Sequence, residues 1–298
     1  MKIKMPQAES VLASSMMKKY IAAIALFLSA SFVGFGQMTK SGLLAKNDVK
    51  ARIHSGPNAD SLYLSRIKGH AIKDLELPRI GKDGQFVEHE GFSLLYDENH
   101  EQARWVAYEL TKAETNNVYK RTNKFIPDPM VITGSATKED YVHSGFDRGH
   151  LAPAADMEWS ATTTAESFYY SNMSPQVPSF NRGIWKQLEE QVRDWAINEE
   201  AVYVVTGPVL TEGLATIGPD EVSVPKYYYK VILEYNLIGV KGIGFLLPNE
   251  GSKEPLQKYA VSIDAVEQLT GLDFFPLLED EREKVIERTV CLSCWELR

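Results

Sequence analysis

The chain has 298 residues, 44% of them hydrophobic, enough for one large domain or two small ones with a real core. Its formal charge is −8, and setting aside residues 1–36, which hold four lysines and one glutamate, takes it to −11. So acidic a chain has no overall attraction to nucleic acid or to an anionic membrane, so any phosphate it binds must meet a local basic patch.

Lys18 and Lys19 precede an apolar stretch over residues 20–35, interrupted only by Ser29, Ser31 and Gly34. Gly34 and Gly36 then flank Phe35 ahead of polar Gln37. A basic start, a short apolar run and small residues at −3 and −1 predict a secretory signal peptide over 1–36. An uncleaved membrane anchor is the competing reading, and sixteen residues are short for a span. Mitochondrial transit peptides are rich in arginine, whereas the first arginine here is Arg52. The expected location is therefore exported, periplasmic or secreted, with no stable membrane association after cleavage.

Residues 37–74 read as a linker or loosely packed lead-in, with Ser55, Gly56, Pro57 and Asn58 as a turn. A strand-rich section, taken as a domain over 75–298, follows. Residues 92–96 and 104–110 predict strands, because Trp, Val and Tyr favour extended backbone. Residues 119–125 form a positive cluster around Lys120, Arg121 and Lys124, and Pro127 and Pro129 then exclude regular structure. A short helix is expected over 161–170.

The clearest helix covers 182–197, where Ile184, Trp185, Leu188, Val192, Trp195 and Ala196 recur at helical spacing. Asn181 falls at its N-cap position, and Glu189 and Arg193 are i, i+4 neighbours. Residues 201–208, 227–233 and 242–248 predict three more strands. A last helix spans 261–270, with Gly271 as its C-cap. Strands outnumber helices without alternating one for one, so the fold class is α+β, a central and mainly antiparallel sheet flanked by helices. Tyr227, Tyr228 and Tyr229 are expected to pack within that sheet. Cys291 and Cys294 are the only cysteines. Two thiols cannot complete a tetrahedral zinc site, and a terminal structural disulfide is the first reading, ahead of free thiols or a redox pair.

The stretch that carries chemistry is 146–157. Asp147, Arg148 and His150 stand within four positions, with Gly149 letting the backbone bend. Histidine alone has an unperturbed pKa near ~6.5, and a neighbouring Asp can hold one imidazole nitrogen while the other stays free. Taken alone, the four residues also fit a structural hydrogen-bond network.

Three blocks occur in order: Asp147-Arg148-Gly149-His150; Ser171-Asn172-Met173-Ser174-Pro175-Gln176; and Asn181-Arg182-Gly183-Ile184-Trp185 with Leu188 and Glu189. Together they resemble the DNA/RNA non-specific endonucleases, the secreted bacterial nucleases and mitochondrial endonuclease G, of the ββα-metal (His-Me finger) superfamily. The resemblance extends through 205–208, 225–230 and 263–275 and covers roughly residues 75–280.

It implies that His150 is a general base and that Asn181 is the one protein ligand of a Mg²⁺, for which Mn²⁺ or another divalent cation could substitute. It further implies that Glu189 holds a metal-bound water. Arg148, Arg193 and Arg121 would meet the phosphate, Asn172 would support the site, and Asp147 would stand behind it. The implied activity is Mg²⁺-dependent cleavage of DNA and RNA to 5′-phosphate ends. A homodimer stays open. Other readings are a catalytically silent nucleic-acid-binding domain on the same scaffold, an interbacterial nuclease toxin, and, more distantly, a thiol oxidoreductase.

Overall fold

The computed structural model describes residues 72–236 and 239–297, so the expected leader and nearly all of the lead-in lie outside the described residues. Seven strands form one sheet in the order β1-β2-β3-β6-β9-β10-β11, every neighbour antiparallel. They are β1 (Gln85–Glu88), β2 (Ser93–Asp97), β3 (Gln102–Thr111), β6 (Ala201–Pro208), β9 (Tyr227–Tyr235), β10 (Val240–Pro248) and β11 (Ala260–Val261). This is the α+β architecture expected from the sequence.

The central strands read as near-continuous apolar runs because both sheet faces are covered. Successive side chains of a strand point to opposite faces. Along β6, Val202 and Val204 therefore enter one core cluster while Tyr203 and Val205 enter another. The first cluster lies under α3 (Lys186–Glu199), which presents Leu188, Val192 and Trp195 to it. The second lies under α4 (Ile263–Thr270) and α5 (Asp280–Arg288), through Ile263, Val266 and Ile286. Each such side chain contributes about 1.5–3 kcal/mol on full burial. Tyr228 and Tyr229 are buried on opposite faces, as sheet packing requires.

Outside the main sheet, β4 (Asp147–His150) and β5 (Met173–Gln176) form a two-stranded finger, with Arg148 opposite Pro175 and His150 opposite Met173. Between them lie the short helix α2 (Ala161–Glu166) and the 3₁₀ turn Tyr170–Asn172, where a single helix over 161–170 was expected. A four-residue helix, α1 (Lys138–Tyr141), and the small pair β7 (Thr216–Ile217) and β8 (Val222–Ser223) lie elsewhere outside the sheet.

After β5 the chain enters a wide π-helical turn, Phe180–Trp185, with Gly183 at non-helical φ −112° and ψ −112°, and then becomes α3. Asn181 is therefore not the cap of the α-helix. Ser179 holds the cap position of the turn, and Asn181 lies inside it, its backbone N–H bonded to the Val177 carbonyl at 2.9 Å. Gly271 closes α4 in the left-handed region at φ +71° and donates to the Glu267 carbonyl, as expected of a C-cap. Cys291 and Cys294 are joined as a disulfide beside Trp295, which packs on Trp195 of α3. No helix among the described residues is long and apolar enough to cross a membrane.

Candidate active site

The finger and the turn into α3 bring the sequence-singled residues into three adjoining groups. The first surrounds His150. Arg148 and His150 share one face of β4 by strand alternation, and that face meets Phe125 and Phe168. The imidazole lies edge-on to Phe168 at 5.0 Å and tilted to Phe125 at 5.8 Å. The Arg148 guanidinium sits 4.1 Å over Phe125, and that of Arg121 lies 5.5 Å over Phe168. Burial, then the positive charges of Arg121 and Arg148, push His150 down to about 3. It is neutral at physiological pH. Its Nε2 is buried and has no hydrogen-bond partner among the described residues.

Gly149 matters because β4 and β5 approach closely there. A Cβ at that position would lie 2.2 Å from Cδ of Gln176, whose side chain is fully buried over the finger. Asn172 is also fully buried, and its amide holds the chain just beyond His150. The Ala152 N–H donates to its Oδ1 at 2.9 Å, and its Nδ2 donates to the carbonyls of Ala152 and Ser167, each at 2.9 Å. Asn172 thus positions the histidine strand from behind.

The second group surrounds Asp147. Its carboxylate does not hold the His150 ring. It points to the other side of β4, where Arg182 donates to it bidentately at 2.8 and 2.6 Å and Asn181 Nδ2 donates at 2.8 Å. Burial raises the Asp147 carboxyl, but these hydrogen bonds and the Arg182 and Arg148 charges outweigh it and hold the group below its usual range. Because the Asn181 amide nitrogen is committed to Asp147, its carbonyl oxygen is left facing away, with no donor bonded to it among the described residues. That is a hard oxygen donor of the kind that suits Mg²⁺ rather than a soft metal. Arg182, which the sequence reading left unassigned, is what fixes this orientation.

The third group lies where α3 crosses the sheet. Arg193 Nη1 pairs with Asp156 Oδ1 at 2.7 Å, and Tyr108 donates to Asp156 Oδ2 at 2.8 Å. Arg193 keeps 18% of its side chain exposed. Lys230 is fully buried beneath α3, its Nζ 4.8 Å over the Trp185 ring. Burial raises the Glu189 carboxyl, and Lys230 opposes that rise; the reverse holds for Lys230, which burial lowers. Glu189 and Arg193 are i, i+4 neighbours on α3 as expected, but the sequence did not reveal that Arg193 meets buried Asp156 or that the Lys230 charge acts on Glu189. Asp156 fell within the singled-out stretch, yet nothing in the pattern tied it to an arginine 37 residues on.

A two-stranded finger carrying a histidine, followed by a helix entered through a turn that carries an oriented asparagine, is the ββα-metal arrangement. A sequence profile of the DNA/RNA non-specific endonucleases matches residues 78–281. Mitochondrial nuclease EXOG of Danio rerio is 36% identical over 223 residues, covering 69% of this chain and 64% of its own length. Human mitochondrial Endonuclease G is 35% identical over 218 residues, 67% of this chain and 73% of its own. A nuclease from Syncephalastrum racemosum is 33% identical over 242 residues, 73% and 76% of the two chains. A crystal structure of EndoG bound to EndoGI aligns with a TM-score of 0.63 at 28% identity, over 74% of this chain and 94% of that one.

The chain belongs to the DNA/RNA non-specific endonuclease family, whose members are metal-dependent nucleases. It spans a little under two thirds of the length of the Danio rerio relative. The expectation of an exported protein, periplasmic or secreted, is overturned here: the EXOG and Endonuclease G relatives are mitochondrial nucleases and point away from export.

Proposed function

We propose that the chain is an endonuclease that hydrolyses phosphodiester bonds of DNA and RNA with little sequence preference, using Mg²⁺ or, in its place, Mn²⁺. The observation that carries this reading is the division of labour along β4. One face presents a neutral imidazole with a free, buried Nε2 between two guanidiniums. The other face presents the carboxylate that turns the Asn181 oxygen outward.

His150 takes the proton of the attacking water, a role worth typically ~10²–10⁴-fold. Arg148 and Arg121 are placed to meet the phosphate that the water attacks, and Arg193 to meet a neighbouring one, with bidentate contacts that lysine could not make. Asn181 would hold the cation directly and Glu189 through a water. When bound, the cation would act as Lewis acid on the phosphoryl oxygen and stabilise the departing oxyanion. Asp147 and Asn172 touch neither substrate nor cation; they position Asn181 and His150. The products expected are 5′-phosphate and 3′-hydroxyl ends. Contacts to phosphate rather than base edges account for the weak sequence preference.

The test is plasmid and RNA cleavage by His150→Ala and Asn181→Ala across a Mg²⁺ titration. His150→Ala should lose about 10²–10⁴-fold in kcat with DNA binding retained, and Asn181→Ala should lose its response to Mg²⁺. Wild-type rates in both variants would end this reading.

A further inference from the structure

The sheet face turned away from α3 carries three carboxylates that the proposed chemistry does not use. Asp264 and Glu267 are three residues apart on α4 and so share a side of the helix, while Glu287 comes from α5. One oxygen of each lies within 4.8 Å of the others. Glu287 is only 8% exposed, and its Oε1 is buried without a hydrogen-bond partner among the described residues. The charged groups that act most strongly on it are Glu267, Glu283, Asp264 and Asp273, all acidic.

The nearby cations are turned elsewhere. Arg79 pairs with Asp273, Arg282 with Glu279 and Lys284 with Glu281, while Arg288 reaches only Asp264, at 3.7 Å from an exposed position. A protonated Glu287 could relieve the repulsion by donating to one of its two neighbours, but no hydrogen bond links it to either among the described residues.

How α5 is held sharpens the question. The helix buries only Ile286 and Glu287 against the rest of the molecule. Both helices come close to β10 because Gly242 has no side chain: a Cβ there would lie 2.6 Å from Ile286 and 2.7 Å from Ile263. One of the two groups that dock α5 is thus a carboxyl group whose buried oxygen has no hydrogen-bond partner among the described residues. A buried polar group without a partner is unfavourable unless a ligand compensates it.

We propose that Asp264, Glu267 and Glu287 form a calcium site that pins α5 to α4, separate from the cation held by Asn181. The donors are all hard oxygens. Glu267 is already oriented, because its Oε1 accepts the Phe274 N–H at 2.8 Å and leaves the other oxygen for the ion. Calcium accepts six to eight oxygens in irregular geometry, which three carboxylates and waters can supply; Mg²⁺ demands a near-octahedral set and sheds water reluctantly. Partly exposed carboxylates place the affinity on the order of 10⁻⁴–10⁻³ M.

The test is thermal melting and calcium titration calorimetry on the full chain after chelator treatment. Asn181→Ala serves as the background that removes the other cation site. Calcium at about 100-fold over its Kd should raise Tm by roughly 5–10 °C in both wild type and Asn181→Ala. Glu287→Gln and Asp264→Asn should abolish that rise and its calorimetric signal while keeping wild-type nuclease rates in Mg²⁺. The proposal is overturned if Asn181→Ala shows no calcium response or if Glu287→Gln responds like wild type. It is equally overturned if wild type ignores calcium while Glu287→Gln is the more stable, since Glu287 is then a buried neutral acid. None of these outcomes bears on whether the chain cleaves nucleic acid.

Discussion

Asp147 is the residue on which the two halves of the site depend, because one carboxylate joins the histidine strand to the turn that carries Asn181. Asp147→Ala frees the Asn181 amide to rotate without removing any group that touches substrate. The Mg²⁺ concentration for half-maximal activity should therefore rise about 10–100-fold, the usual scale for losing such a support, with little change in DNA affinity. Asn172 gives a second test of positioning. Asn172→Asp keeps the shape and can still accept from the Ala152 N–H, but it meets the carbonyls of Ala152 and Ser167 with no donor. Each group left unpaired should cost about 1–3 kcal/mol in chemical denaturation. The Asp-Arg-Gly-His run was legible in the sequence because its chemistry is local. Arg182 and Lys230 were not. Lys230 looks like a polar interruption of an apolar strand, and only its alternation with Tyr228 and Ile232 puts it beneath α3.

At the scale of elements, the long strands and α3 were readable because burial imposes periods of 2 and 3.6 on the apolar residues. The finger was not, since β4 holds a glycine, β5 holds a proline and neither alternates, so both read as loop. Its geometry is set instead by Gln176 lying over Gly149. Gly149→Ala should force the two strands apart and cost about 1–3 kcal/mol, with cleavage falling further than stability does. The π-helical turn has no periodic signature, and α5, burying one apolar side chain, offers almost no apolar stripe to read. The finger also fixes a pH dependence. His150 titrates near 6.5 when unfolded and near 3 when folded, so between those values the unfolded chain binds more protons. The contribution is fully present above about pH 6.5 and is lost as pH falls toward 3. Melting temperatures of wild type should drop more steeply over that window than those of His150→Gln, and parallel curves would show that the ring is not desolvated as the structure has it.

For the whole molecule, the net charge and the site charge have opposite signs, and that contrast makes a quantitative demand. A chain at −8 repels a polyanion at a distance, so the proposed function rests binding on local guanidiniums: Arg121 and Arg148 over their aromatic rings, and the partly exposed Arg193. About three phosphate contacts predict a log–log slope of duplex affinity against salt near −3, at roughly −0.9 per contact. Single strands should give a shallower slope, at roughly −0.7 per contact. Arg121 is exposed, its Nε bonded only to Asn123, so Arg121→Ala should lower the duplex slope by about 1 and weaken all sequences alike. Arg193 is different, because it also neutralises buried Asp156. Arg193→Ala should therefore lose stability as well as affinity, and Arg193→Lys should restore stability before it restores the slope. Fluorescence-anisotropy titrations of both variants from low to high salt separate the two roles, and a slope unchanged in Arg121→Ala would place the phosphate track elsewhere on the molecule.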